Sequence, residues 1–179
     1  IIKEGLKYDI RSKIHVNQFN ALGGIKIAVE NNALSVDHLE VLQDDDIKTL
    51  SKGSTMPVVL PTCSYFLGID YAPARKLIDA GLPLAIASDF NPGSSPSGNM
   101  NFVISTACTK MKLTTEEAIN AATINGAYAM GLENKVGSIS KDKIANLIIT
   151  NKINSIDEVP YNFGGNQIHK VILEGEIIS

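Results

Sequence analysis

The 179-residue sequence predicts an α/β fold with a parallel sheet, and three observations carry that prediction. Short apolar segments recur at nearly regular spacing. Helix-like segments with recognisable starts and stops lie between them. The apolar segments are hydrophobic on both faces, as parallel strands covered by helices should be. Four such strand–helix units are half of an eight-stranded (β/α)8 barrel, which needs roughly 250 residues when complete. An open four-stranded sheet is the rival. The abrupt start, Ile1-Ile2-Lys3-Glu4-Gly5, reads as neither a leader nor a normal translation start, and it favours the half-barrel.

The first strand is Ile14-His15-Val16, preceded by Ser12-Lys13. Gly23-Gly24 punctuates the chain before a helix over Ile25 to Asn31. The second strand is Leu34 to Asp37, and the helix after it, Asp44 to Leu50, opens on three acids that suit a helix N-terminus. Met56 to Leu60 is the third strand. Ala72 to Ala80 is a helix, with Pro73 at its first position and Gly81 as its stop. Leu84 to Ala87 is the fourth strand. Beyond it the pattern changes. Met100 to Lys110 reads as helix, Thr114-Thr115-Glu116-Glu117 as a capping box opening another, and Asn125 to Met130 as a third stopped by Gly131. Short β-like pieces follow at Gly137 to Ile139, Ala145 to Thr150 and Lys170 to Leu173, with Glu174-Gly175-Glu176 as a tight hairpin turn. Asn151 to Gln167 is turn-rich and reads as loop.

Composition excludes several function classes. A net charge of −3 leaves no basic footprint for nucleic acid or anionic lipid. No run of 18 apolar residues predicts a membrane span. The two cysteines, Cys63 and Cys108, lack CxxC spacing and read as reduced thiols of a cytosolic protein.

Candidate chemistry sits where strands end. His15 lies near the end of the first strand, His38 at the end of the second, and Asp89 just after the fourth. In a parallel barrel those ends share one face, so the three would converge, and imidazole and carboxylate are the usual ligands of a catalytic zinc. Each has a plainer reading. His15 and His38 can be strand-end residues bonded to a neighbour, with Asp37 or Glu40 as a surface partner of His38. Asp89 can be an Asx turn or a helix N-cap before Asn91-Pro92-Gly93. Asp44-Asp45-Asp46 reads as a solvated helix start, His169 as structural or exposed. Gly23-Gly24 is a weak phosphate signal without G-x-G-x-x-G or a P-loop, and neither cysteine has a triad-like context.

Several stretches together resemble the imidazolonepropionase branch of the amidohydrolase superfamily. They are His15-Val16-Asn17-Gln18-Phe19 with Gly23-Gly24, Ser35-Val36-Asp37-His38-Leu39-Glu40, Leu60 to Leu67 followed by Pro73 to Leu77, and Ala87-Ser88-Asp89-Phe90-Asn91-Pro92-Gly93-Ser94. The resemblance covers the chain from about Ile14 to its end. It implies a cytoplasmic hydrolase of histidine degradation that opens 4-imidazolone-5-propanoate to N-formimidoyl-L-glutamate. It also implies a metal-dependent (β/α)8 TIM barrel with a small β-sandwich built from both chain ends. Residues 1–131 would then be strands 5–8 of the barrel, and residues 132–179 the C-terminal strands of the sandwich.

By the same resemblance His15 and Asp89 are ligands of one divalent metal, zinc or iron. Asp89 and His38 carry the catalysis. Gln18, Asn91, Gly93 and Ser94 contact the substrate. Where some members carry Glu, this chain has Gln18, and an amide cannot act as a base, which moves that role to Asp89 with His38 assisting. The His-x-His pair after the family's first strand is absent, as are the arginine and tyrosine that hold substrate in the N-terminal half. The chain is thus expected to be the C-terminal half of such an enzyme, inactive alone, and paired through its open edges as a homodimer or with the missing half. Asn146 stands where Asp is usual, and Asp142 where Gly is usual. Two other readings are a guanine- or cytosine-type deaminase and a non-catalytic binding fragment.

Overall fold

The computed structural model describes residues 1–179. A short helix α1 (Ile2–Leu6) leads into β1 (Lys13–Val16), α2 (Gly24–Glu30), β2 (Ser35–His38), α3 (Asp44–Leu50) and β3 (Met56–Val59). Then come α4 (Pro61–Leu67), α5 (Ala74–Asp79) and β4 (Ala85–Ile86), followed by α6 (Met100–Met111), α7 (Thr115–Ala122) and α8 (Ile124–Ala129). The chain ends with β5 (Leu147–Thr150), α9 (Glu158–Tyr161), β6 (Ile168–Leu173) and β7 (Glu176–Ile177).

The first four strands form one parallel sheet in sequence order, β1-β2-β3-β4. His15 stands opposite Asp37 and Val16 opposite His38, so the strand ends are nearly flush. Parallel neighbours joined through helices in strict succession are the arrangement of a barrel wall. The main core packs Val16, Val36, Val59, Leu84 and Ile86 of the sheet region against Ile25, Ala28, Leu77, Val103, Ala107 and Ala118 of the helices. A smaller cluster, Met56, Val58, Leu60, Cys63, Ala85 and Ala129, occupies the other side of β3 and β4.

The expectation of strands apolar on both faces holds for β3 and β4, which are buried throughout. It fails for β1 and β2. Lys13 donates to Ser35 Oγ at 2.6 Å, and Ser35 donates to Asp37 Oδ1 at 2.7 Å. Asp37 therefore serves this strand-to-strand polar ladder and is not the partner of His38.

Local chemistry explains the element ends. Thr114 Oγ1 accepts from Glu117 N while Glu117 Oε2 accepts from Thr114 N, so the capping box opens α7 as the sequence predicts. Asp46 Oδ2 accepts from Gln43 N and closes the start of α3. Pro73 sits one position earlier than expected, at the N-cap of α5. Three helices escaped the sequence reading, the short α1 among them. Helix α4 starts on Pro61 at its first position, directly after Leu60. Helix α9 is a single turn within the stretch read as loop.

Gly23-Gly24 is a packing device rather than a phosphate cradle. A Cβ on Gly24 would lie 2.7 Å from Val16 Cγ1, so glycine lets α2 close onto β1.

The C-terminal strands form a separate antiparallel sheet, β5-β6-β7. Glu174 and Gly175 both have positive φ, 53° and 89°, in the two-residue turn between β6 and β7. Gly137 to Ile139, expected to be β-like, forms no strand. Ile148, Ile149, Ile168 and Ile177 are exposed on this sheet, and His169 is exposed as expected. No helix is long and apolar enough to cross a membrane.

Candidate active site

The C-terminal ends of β1, β2 and β4 are each turned by a non-glycine residue with positive φ. Asn17 has φ 56°, His38 96°, Leu39 73° and Asp89 52°. Asn and Asp enter this region at low cost, but for His38 and Leu39 it costs about 1–3 kcal/mol each, and such strain collects at functional sites. It has a visible result here. By strand alternation His15 and His38 belong to opposite faces, because His15 is level with Asp37. Their rings nevertheless meet edge to face, with centroids 4.2 Å apart. The turn at His38-Leu39 brings the two imidazoles to one place.

Below His38 lies Glu40. Its Oε1 is 3.5 Å from His38 Nδ1, with the two side chains only 6% and 3% exposed. Ser64 on α4 donates to the same Oε1 at 3.2 Å. Glu40 is thus a buried neighbour of His38, not the surface partner the sequence suggested. His38 Nδ1 and Glu40 Oε2 have no hydrogen-bond partner. Cys63, the third residue of α4, is fully buried beside them, and its sulfur, Glu40 and His38 offer ligand atoms within 4.8 Å of one another.

Cys63 also links the outer loops. Gln18 Nε2, two residues beyond β1, points at Cys63 Sγ at 3.5 Å. Burial pushes the Cys63 thiol up to about 11; the Asp89 and Glu40 carboxylates push it the same way, and the Ser94 hydrogen bond pulls against them. The thiol is therefore protonated at neutral pH and sits between the Gln18 and Asp89 loops. Sequence reading passed over it for want of a recognisable motif. Its place just past the end of a strand was the available signal, and Glu40, two residues beyond His38, offered the same one.

The Asp89 loop is latched by Asn91. Asn91 Oδ1 accepts from Gly93 N at 2.8 Å and from Ser94 N at 2.9 Å. Asn91 Nδ2 donates to Asp89 O and to Ser94 Oγ, and Ser94 Oγ donates to Asp89 Oδ2 at 2.9 Å. Thr62 Oγ1 on α4 donates to Ser88 O and ties this loop to the neighbouring one. An Asx turn is therefore present, but Asn91 forms it. The Asp89 carboxylate is left with one oxygen held by Ser94 and its backbone in the left-handed region.

The structure thus brings Gln18, His38, Asp89 and Ser94 around Cys63, with His15 on the open side against His38. Asn91 and Gly93 form the latch beneath Asp89. As donors, the His15 imidazole and the Asp89 carboxylate fit a borderline cation such as zinc. His15 is exposed on β1, which has only β2 beside it.

The amidohydrolase family model matches residues 2–178. An imidazolonepropionase of Flavobacterium johnsoniae is 62% identical over 178 residues, covering 99% of this chain and 43% of that protein. The imidazolonepropionase of Flavobacterium psychrophilum is 61% identical over the same shares. This chain therefore spans less than half the length of the relatives it matches. Among solved structures, a zinc-bound adenosine deaminase from Xanthomonas campestris superposes with a TM-score of 0.82, at 19% identity, over 98% of this chain and 46% of that one. At that identity the likeness shows the fold alone.

Proposed function

The chain belongs to the amidohydrolase family, and from that premise we propose that it is the C-terminal part of a cytoplasmic imidazolonepropionase. The reaction would be hydrolysis of the ring amide of 4-imidazolone-5-propanoate to N-formimidoyl-L-glutamate. The observation that carries the reading is the convergence of the strand-end loops bearing Gln18, His38 and Asp89 around one buried thiol, with His15 stacked at its edge. Relatives of 62% and 61% identity bear that activity's name.

In this reading residues 1–131 contribute strands 5–8 of a (β/α)8 barrel. Residues 132–179 contribute to a small β-sandwich, whose remaining strands would cover the exposed isoleucines of β5 to β7. His15 and Asp89 are two ligands of one divalent cation, zinc or iron. That cation would supply the Lewis acidity that makes water nucleophilic at neutral pH.

The protein groups do the rest. Asp89 takes the water's proton and returns it to the leaving ring nitrogen. Ser94 holds Oδ2 and so fixes the carboxylate's aim. His38, with the Glu40 carboxylate 3.5 Å from its Nδ1, directs its ring at the carbonyl oxygen and steadies the charge that develops there, an effect typically worth a few kcal/mol. Gln18 cannot carry a proton, which leaves it a binding role. Asn91, Gly93 and Ser94 shape the loop that receives the propionate end.

The test is turnover by the full-length protein of 4-imidazolone-5-propanoate against guanine. The proposal expects the first to be hydrolysed and the second ignored. Guanine deamination without imidazolone opening would replace the substrate assignment.

A further inference from the structure

Two buried polar atoms at the site have no hydrogen-bond partner. His38 Nδ1 and Glu40 Oε2 belong to side chains that are 6% and 3% exposed. An unsatisfied buried polar group costs about 1–3 kcal/mol, and more when charged. Beside them stands the fully buried sulfur of Cys63, completing a nitrogen, oxygen and sulfur set whose ligand atoms lie within 4.8 Å of one another. Bonds of about 2.0–2.3 Å from zinc to these donor types would draw the three donors to separations somewhat below that limit.

From this geometry we infer that His38, Glu40 and Cys63 form a thiolate-containing binding site for a soft divalent cation, separate from the His15 and Asp89 pair. A thiolate next to imidazole selects zinc, and its test ion cobalt, over magnesium or calcium. Binding breaks the Cys63 S–H bond and forms a sulfur–metal bond, with the proton released to the buffer. The cation takes the Nδ1 side of His38 and joins the unpartnered oxygen of Glu40. Backbone already holds the site in shape: the left-handed His38-Leu39 turn sets the imidazole, and Ser64 holds the other Glu40 oxygen. The site shares His38 with the proposed activity but uses neither His15 nor Asp89, and its test reads metal binding rather than turnover.

Metal-free, reduced protein titrated with cobalt(II) tests it directly. The intense near-ultraviolet thiolate-to-cobalt charge-transfer band should rise to saturation and bleach on adding zinc. Cys63→Ser should abolish the band. Glu40→Gln should weaken cobalt binding roughly tenfold or more, since even indirect changes at metal sites cost about 10–100-fold. His15→Ala and Cys108→Ser should leave the band intact. A band that never appears at saturating cobalt, or one that survives Cys63→Ser, overturns the inference. Should Cys63→Ser fail to fold, zinc X-ray absorption on the unaltered protein decides: a sulfur neighbour near ~2.3 Å supports the site, and a shell of nitrogen and oxygen only refutes it.

Discussion

Asn91 shows how one side chain sets the position of another, the carboxylate proposed to do the chemistry. Its amide accepts from two backbone N–H groups and donates to Asp89 O and Ser94 Oγ, which in turn donates to Asp89. Asn91→Ala removes all four bonds and frees the Asp89 carboxylate from its aim. Displacing a reacting group by about 1 Å costs on the order of 10²-fold in rate. We therefore expect kcat/KM of the full-length protein to fall by roughly that factor, with the melting temperature falling only slightly because the loop lies outside the core. A near-normal kcat/KM in this variant would mean that the latch does not position Asp89. Residue-level chemistry was unevenly legible in the sequence. Asp89, His15 and His38 stood out by type and by strand-end position. Glu40 and Cys63 did not, because their importance lies in burial, and burial follows from helix α4 packing over the loop after β2.

Among the elements, helix α7 is fixed by charge as well as by its cap. Arg75 on α5 grips Glu117 through two bonds of 2.8 Å. That guanidinium holds the Glu117 carboxyl below the usual glutamate range, and the bond from Thr114 N adds to the effect. A carboxyl whose folded pKa is depressed lends stability that is complete above its unfolded pKa and is lost as pH falls through the folded value. Between roughly pH 5 and pH 3 the melting temperature of the unaltered chain should thus drop more steeply than that of Glu117→Gln. Parallel curves, followed by circular dichroism, would show that the pair adds nothing. The capping box at Thr114, the acidic start of α3 and the Glu174-Gly175 turn were readable because each is a local rule written in adjacent residues. Helix α4 was not, since Pro61 following a strand reads as a break until one sees it as a first helical position. The polar inner faces of β1 and β2 were hidden too. Lys13, Ser35 and Asp37 satisfy one another across strands, and a single strand's sequence cannot show that.

Taken whole, the parallel sheet has open edges at both sides: β1 is bonded only to β2, and β4 only to β3. Unpaired edges of this kind bind other strands. His15 is exposed because it stands on one of them. The 179-residue chain alone should accordingly sediment as a dimer or larger species; a monomer at every concentration would indicate that the edges are protected. The sequence disclosed the four-unit rhythm and the parallel direction of the strands, and the sheet itself gave the strand order β1-β2-β3-β4. In the proposed reaction Asp89, delivered by the last parallel strand, drives opening of an imidazolone ring. The most direct measurement is hydrolysis of 4-imidazolone-5-propanoate by the full-length protein and its Asp89→Asn variant, with both shown to be folded. The unaltered protein should turn the substrate over, and the variant should lose about 10²–10⁴-fold, the range for removing a proton-transferring group. An unaltered protein without turnover, or a variant within a few-fold of it, would mean that Asp89 does not carry this reaction.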